Sequence, residues 1–134
     1  MGAVSWIYFV PYQDDFQKAL DDLRTREFAA RRYHAAGPPK HATIEDAIND
    51  AGADGTRSIL DIGQIGNEIE FCEACVLSEA TLDELFETPH PTHQDVVREG
   101  SMYGLIDRGQ AVCFPVYNQS GTPAEICFAG YSFD

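Results

Sequence analysis

The stretch AVCFPVYNQSGTPAEICFAGYS, residues 111–132, decides the fold. Two runs rich in apolar, β-branched and aromatic residues flank NQSGT (118–122), a five-residue loop with Gly121 in fourth place. That spacing predicts a type I turn followed by a left-handed glycine, the loop of a β-hairpin with a G1 bulge. Asn118 then pairs with Thr122, and counting back along both strands sets Cys113 opposite Cys127. The same count aims the missing N–H of Pro115 away from the hairpin partner. Proline is tolerated there when that side of the ladder is open, so 111–117 is expected to be an edge strand.

Working outward, WIYFVPY (6–12) is apolar on both alternating faces and reads as a buried, central strand. QDDFQKALDDLRTREFAARRY (13–33) sets Phe16, Leu20 and Leu23 on one helical face. Asp14 and Asp15 suit its start and Arg31 and Arg32 its end. HAAGPPKHA (34–42) is a breaker loop. Thr43 opens a short helix over IEDAIND with Gly52 as its terminator, and RSILDI (57–62) reads as a strand followed by a turn at GQIGN. Residues 69–77 form a weaker strand. Thr81, with Glu84 three residues on, and Thr92, with Asp95 three on, mark two further helix starts, the second interrupted by Gly100 and Gly104. The sum is a single α+β domain over residues 1–134: a mixed, mostly antiparallel sheet with helices packed on one face and a C-terminal β-hairpin.

Charge narrows the function. Twenty-two acidic residues against nine basic ones give a net charge of −13. Such a field repels phosphate backbones and anionic lipid, so no nucleic acid and no membrane surface is expected as partner, and a basic protein is favoured. Residues 1–40 carry six basic and five acidic residues, whereas 41–134 carry three and seventeen. The arginines of the first part either make it a basic pole or neutralise acids packed beside them. No stretch approaches the roughly 20 apolar residues of a membrane helix, the start lacks the order of a signal peptide, and Trp6 stands where N-myristoylation requires Ser or Thr. The expected location is cytoplasmic, where thiols stay reduced.

Four cysteines, Cys72, Cys75, Cys113 and Cys127, form a CxxC and a separate pair. Converged, they would make a tetrahedral zinc site, with sulfur about 2.3 Å from the metal. Neither pair has the Gly or Pro turn of a zinc knuckle. The carboxylates of Glu70 and Glu73 oppose a redox role because they raise thiol pKa. DAGADGTRSILD (50–61) partly resembles the EF-hand calcium loop, with Asp50, Asp54, Gly55, Thr56, Ser58 and Asp61 at ligand or turn positions. It departs at Gly52, at Arg57 and in the short side chain of Asp61. His90 and His93 make an HxxH in TPHPTHQD, and Asp61 ends an apolar run. These three are the candidates for a ligand pocket or small catalytic site. No GxGxxG, P-loop, GxSxG or HExxH motif occurs. No cofactor is expected, and the reading leans away from an enzyme. It favours an acidic protein-binding module of the inhibitor, immunity or antitoxin kind. The alternatives are a small enzyme near Asp61, His90 and His93, or a cysteine-based metal module.

Overall fold

A computed structural model describes residues 3–35 and 41–134. Most of the expected breaker loop 34–42 and the Met1–Gly2 start lie outside the described residues. The strands are β1 (Ser5–Pro11), β2 (Gln64–Gly66), β3 (Glu73–Val76), β4 (Ala111–Tyr117) and β5 (Pro123–Tyr131). They form one sheet in the order β1-β5-β4-β3-β2. β1, β5 and β4 pair antiparallel over long ladders, while β4-β3 and β3-β2 are short parallel ladders. The α+β class, the mixed sheet and the terminal hairpin therefore stand. Among the described residues no helix is long and apolar enough to cross a membrane.

The helices differ from the one-face expectation: they cover both faces. Helix α1 (Phe16–Ala29) packs Ala19, Leu20 and Leu23 against Trp6, Val10, Cys113, Ile126 and Phe128. On the opposite face, Leu82 and Phe86 of α3 (Glu79–Phe86) and Val96 of α4 (His93–Glu99) pack against Cys75, Val112, Phe114, Val116 and Cys127. A sheet buried on both sides explains why its strands are apolar at consecutive positions. It also divides the strand aromatics, with Trp6, Tyr8 and Phe128 on one side and Phe9 and Phe114 on the other.

Local signals act as their chemistry dictates. The side chains of Asp15, Thr43, Ser78 and Thr92 accept backbone N–H bonds at the starts of α1, α2 (Ile44–Ala51), α3 and α4. At Thr92 the reciprocal bond, from its own backbone N–H to the Asp95 carboxylate, completes a capping box, and Gly100 ends the helix at φ 59°. The residues 13–33 expected to be helical shorten to 16–29, because Arg31 turns left-handed at φ 59° and Phe28 stacks on Tyr33. Helix α3 starts at Ser78 rather than Thr81, which adds residues ahead of the buried Leu82 and Phe86. RSILDI is not a strand. Ile59–Asp61 forms a 3₁₀ turn with Ile59, Leu60 and Ile62 fully buried, and part of the expected GQIGN turn is the strand β2.

Two strand placements are exchanged relative to expectation. β1 is an edge strand and β4 is internal. Pro115 is tolerated inside the sheet because β3 leaves β4 before reaching it. Leu77 N–H bonds Cys113 O at 3.0 Å, and Tyr117 N–H bonds Pro91 O at 2.8 Å, so nothing on that side needs a donor from Pro115. The loop forms as expected, with Asn118 N–H on Thr122 O at 2.9 Å and Gly121 at φ 79°. The register does not survive it. Tyr117 pairs with Pro123 and Val116 with Glu125, so Ala124 is an extra residue. Beyond that bulge Phe114 faces Cys127, and Cys113 faces Phe128.

Candidate functional site

The one-residue shift settles where the thiols lie. Cys113 belongs to the α1 face and Cys127 to the α3/α4 face, so the two cannot bridge across a non-hydrogen-bonded pair. Cys75 shares the face of Cys127, and Cys72 sits half-buried at the start of β3 with φ 64°. All four are free thiols. Burial raises every one of them, Cys113 and Cys127 the furthest. In a native-state alkylation time course Cys72 is therefore expected to react first and faster with rising pH, with Cys113 and Cys127 labelled only on unfolding. Mass mapping of the labelled peptides reads the order.

Asp61 closes a small polar network beneath the C-terminal tail. Thr56 donates both its backbone N–H and its hydroxyl to Asp61 Oδ1 at 2.8 Å. Thr56 Oγ1 also lies 2.8 Å from Ser58 Oγ, which caps the 3₁₀ turn. Among the described residues Asp61 Oδ2 is buried without a close hydrogen-bond partner, and burial pushes the carboxyl above its usual range, against the pull of Thr56, the Arg57 backbone N–H and Arg24. Gly55, at φ 70°, leaves the space this oxygen occupies. A Cβ there would approach Asp61 Oδ2 and the Phe133 ring to 2.8 Å. Arg57 holds Asp134 at 2.6 Å, and Phe133 stacks on Phe71 at 4.8 Å, fixing the tail over the network. The network is enclosed and built on a local turn.

His90 and His93 sit on the other side of the sheet. His93 opens α4, stacks on Phe9 with ring centroids 3.8 Å apart, and holds Glu125 Oε1 through Nδ1 at 2.9 Å. It lines a groove of about 310 Å³ with Gln94, Tyr117, Asn118 and Glu125. His90 lies against Tyr117 and bonds Glu79 Oε2 at 2.7 Å. The structure thus sets His90 against Tyr117 and His93 in the groove that Tyr117 also lines, but leaves Asp61 with α1, so the three do not share a pocket. Nor do the calcium-like positions gather. Asp50 is exposed on α2 and bonds His41 Nε2 at 2.9 Å, Asp54 is exposed in the next turn, and Asp61 points inward. Among the described residues no three His, Cys, Asp or Glu side chains converge as metal ligands.

The surface charge is more sharply organised than any of these clusters. Near the first helix Arg24 donates to Leu60 O and Arg31 to His41 O, and three other cations are paired with acids. Arg26 and Arg32 clamp the buried Glu27 at 3.0 and 2.7 Å, and Lys18 holds Asp22 at 2.9 Å. Of the two expectations for those arginines, neutralisation of neighbouring acids describes these pairs. By contrast, residues 58–97 contain no Lys or Arg. They carry Glu68, Glu70 and Glu73 around the start of β3 and Glu79, Asp83, Glu84 and Glu87 on and just after α3, all but Glu73 exposed. Phe71 stands between Glu70 and Cys72, 58% exposed yet stacked on Phe133. A gap in Lys and Arg over forty residues is visible in the sequence. The exposed aromatic within it is not, because Phe71 sits in a segment read as strand. No protein-family model, curated protein or solved structure matches the chain.

Proposed function

We propose that the protein is an acidic binding module, of the inhibitor, immunity or antitoxin kind, that masks a basic protein partner in a reducing, cytoplasmic setting. The observation carrying this reading is the acidic run of residues 68–87, inside a stretch without Lys or Arg. Its seven carboxylates have no Lys or Arg nearby in sequence, and an exposed aromatic, Phe71, held on Phe133, stands between Glu70 and Glu73 in the chain. Clustered charge of one sign raises the encounter rate with a partner of the opposite sign, while binding energy concentrates in a few rigid aromatic anchors. Phe71 supplies that anchor at little entropic cost, because its ring is already packed on one face. Four free, high-pKa thiols suit a compartment that keeps cysteine reduced.

The test begins with partner capture from the source cell extract on immobilised protein at low salt, followed by affinity measurement with the identified partner. Replacing Glu79, Asp83, Glu84 and Glu87 with their amides is expected to weaken binding about 10- to 100-fold, mainly through the association rate, and to flatten its salt dependence. Phe71→Ala is expected to act on the dissociation rate instead. An identified partner whose affinity ignores both changes contradicts the reading.

A further inference from the structure

β1 combines the sequence of a central strand with the position of an edge strand. Residues 1–13 contain no charged side chain, and Ser5–Pro11 is apolar on both faces. Edge strands are ordinarily protected by lysine, an inward charge, a bulge or a mid-strand proline. β1 has none of these before Pro11. Its ladder to β5 uses the even residues: Ser132 N–H bonds Val4 O at 2.8 Å, and Tyr12 N–H bonds Ala124 O at 3.1 Å. The N–H and C=O groups of Ser5, Ile7 and Phe9 therefore point to the open edge, where among the described residues no strand pairs with them. Val4 and Ile7, two of the exposed large apolar residues, lie along this same edge.

We propose that a second copy of this chain completes the sheet, β1 pairing antiparallel with β1 of its twin about a two-fold axis at Ile7. Three features select that occupant and that register. Pairing 7 with 7 and 5 with 9 uses every outward N–H and C=O of the three residues, and leaves Pro11, which has no N–H, outside the ladder. A centre two residues later would oppose Pro11 to Ile7 and lose donors. The same register places Val4 of one copy beside Val10 of the other, on the α1 face. There a groove of about 220 Å³ is lined by Val10, Ala19 and Leu23, and its two charged residues are already paired, Asp22 with Lys18 and Arg26 with Glu27. On the opposite face Ile7 meets Ile7. Finally, two chains of charge −13 repel one another, so self-association requires a contact free of acids, and β1 is such a strand. The acidic surface around β3 and α3 lies toward the other end of the sheet and stays open, so this inference and the proposed partner docking stand or fall separately.

Sedimentation equilibrium of the full chain tests the pairing. The native protein, 14.8 kDa per chain, is expected at twice that mass at about 100 μM and to dissociate on dilution. Ile7→Pro removes one outward N–H without touching the bonds to β5, and Val4→Lys sets a charge at the groove. Each is expected to raise the dimer dissociation constant at least about tenfold. The Val4 variant keeps the test decisive should the proline variant fail to fold. In a Cys72→Ser background, Ile7→Cys is expected to form a 7–7 disulfide on mild oxidation, with facing Cα atoms about 5.5 Å apart, while Ser5→Cys does not. A native chain that stays monomeric at that concentration, a dimer indifferent to both substitutions, or equal cross-linking at 5 and 7 overturns the proposal.

Discussion

Phe114→Ala is expected to destabilise the fold by about 3–5 kcal/mol, one of the two largest single-residue effects anticipated here. Phe114 is wholly buried on the face that α3 and α4 cover, opposite Cys127 and 5.7 Å from Phe86 between ring centroids. Were helices confined to one face, half of β4 would meet water and the truncation would cost little. The cavity forms instead between the sheet and α3, where the neighbours Phe86, Val112 and Val116 are held by their own elements and collapse only partly. For a domain whose total stability is of order 5–15 kcal/mol, that loss lowers the midpoint of thermal unfolding by roughly 10–20 °C. Val97→Ala, at a position 63% exposed on α4, is the control and is expected to change stability by less than about 0.5 kcal/mol. Thermal and denaturant unfolding of both variants measures the contrast.

The second large effect is at Asp61, where the two obvious substitutions should diverge. Asp61→Ala removes the acceptor for both Thr56 donors and leaves a buried backbone N–H unpaired, at an expected cost of about 3 kcal/mol. Asp61→Asn keeps an acceptor in place and removes a charge that burial disfavours, so it is expected to lie within about 1 kcal/mol of the native protein at neutral pH. The sign of the pH dependence follows from the raised carboxyl. Between the unfolded and folded pKa values the native state binds the extra proton. The contribution of Asp61 is thus fully present below the unfolded value and is lost as pH rises through the folded one. The asparagine variant lacks this loss, so its stability relative to native should rise from pH 4 toward pH 7. Glu27 has the opposite sign. Arg32 and Arg26 hold it below the usual carboxylate range, so its contribution is lost as pH falls. Urea unfolding across that pH range for native, Asp61→Asn and Asp61→Ala separates the two terms.

The parts of the fold legible in the sequence are those written by local chemistry. NQSGT demanded a left-handed Gly121, Thr92 with Asp95 announced a capping box, and Phe16, Leu20 and Leu23 gave α1 its face. What stayed hidden depends on partners distant in the chain. Nothing in PAEICFAGYS marks Ala124 as the bulged residue, yet that one residue separates Cys113 from Cys127 by the thickness of the sheet. RSILDI carries the letters of a strand, but an apolar run that short is equally satisfied by a buried 3₁₀ turn anchored by Thr56 and Asp61. Pro115 suggested an edge, and the early exit of β3 supplied the open side within the sheet. WIYFVPY suggested a centre, because helices on both faces make any strand apolar on both faces whether or not its ladder is full. Among the candidate sites, the sequence brought Asp61, His90 and His93 forward as one group. It held no information on which face of the sheet each would occupy.

The claim that residues 68–87 form the docking surface for a basic partner is tested most directly by titrating a short lysine-rich peptide into isotope-labelled protein at low salt and following backbone amide shifts. Perturbations concentrated around Glu68–Glu73 and on α3, with Phe71 among them and all of them suppressed by salt, are the predicted result. Shifts as large or larger on α1 and α2, around Asp14, Asp21, Glu45 and Asp46, with α3 silent, would contradict it.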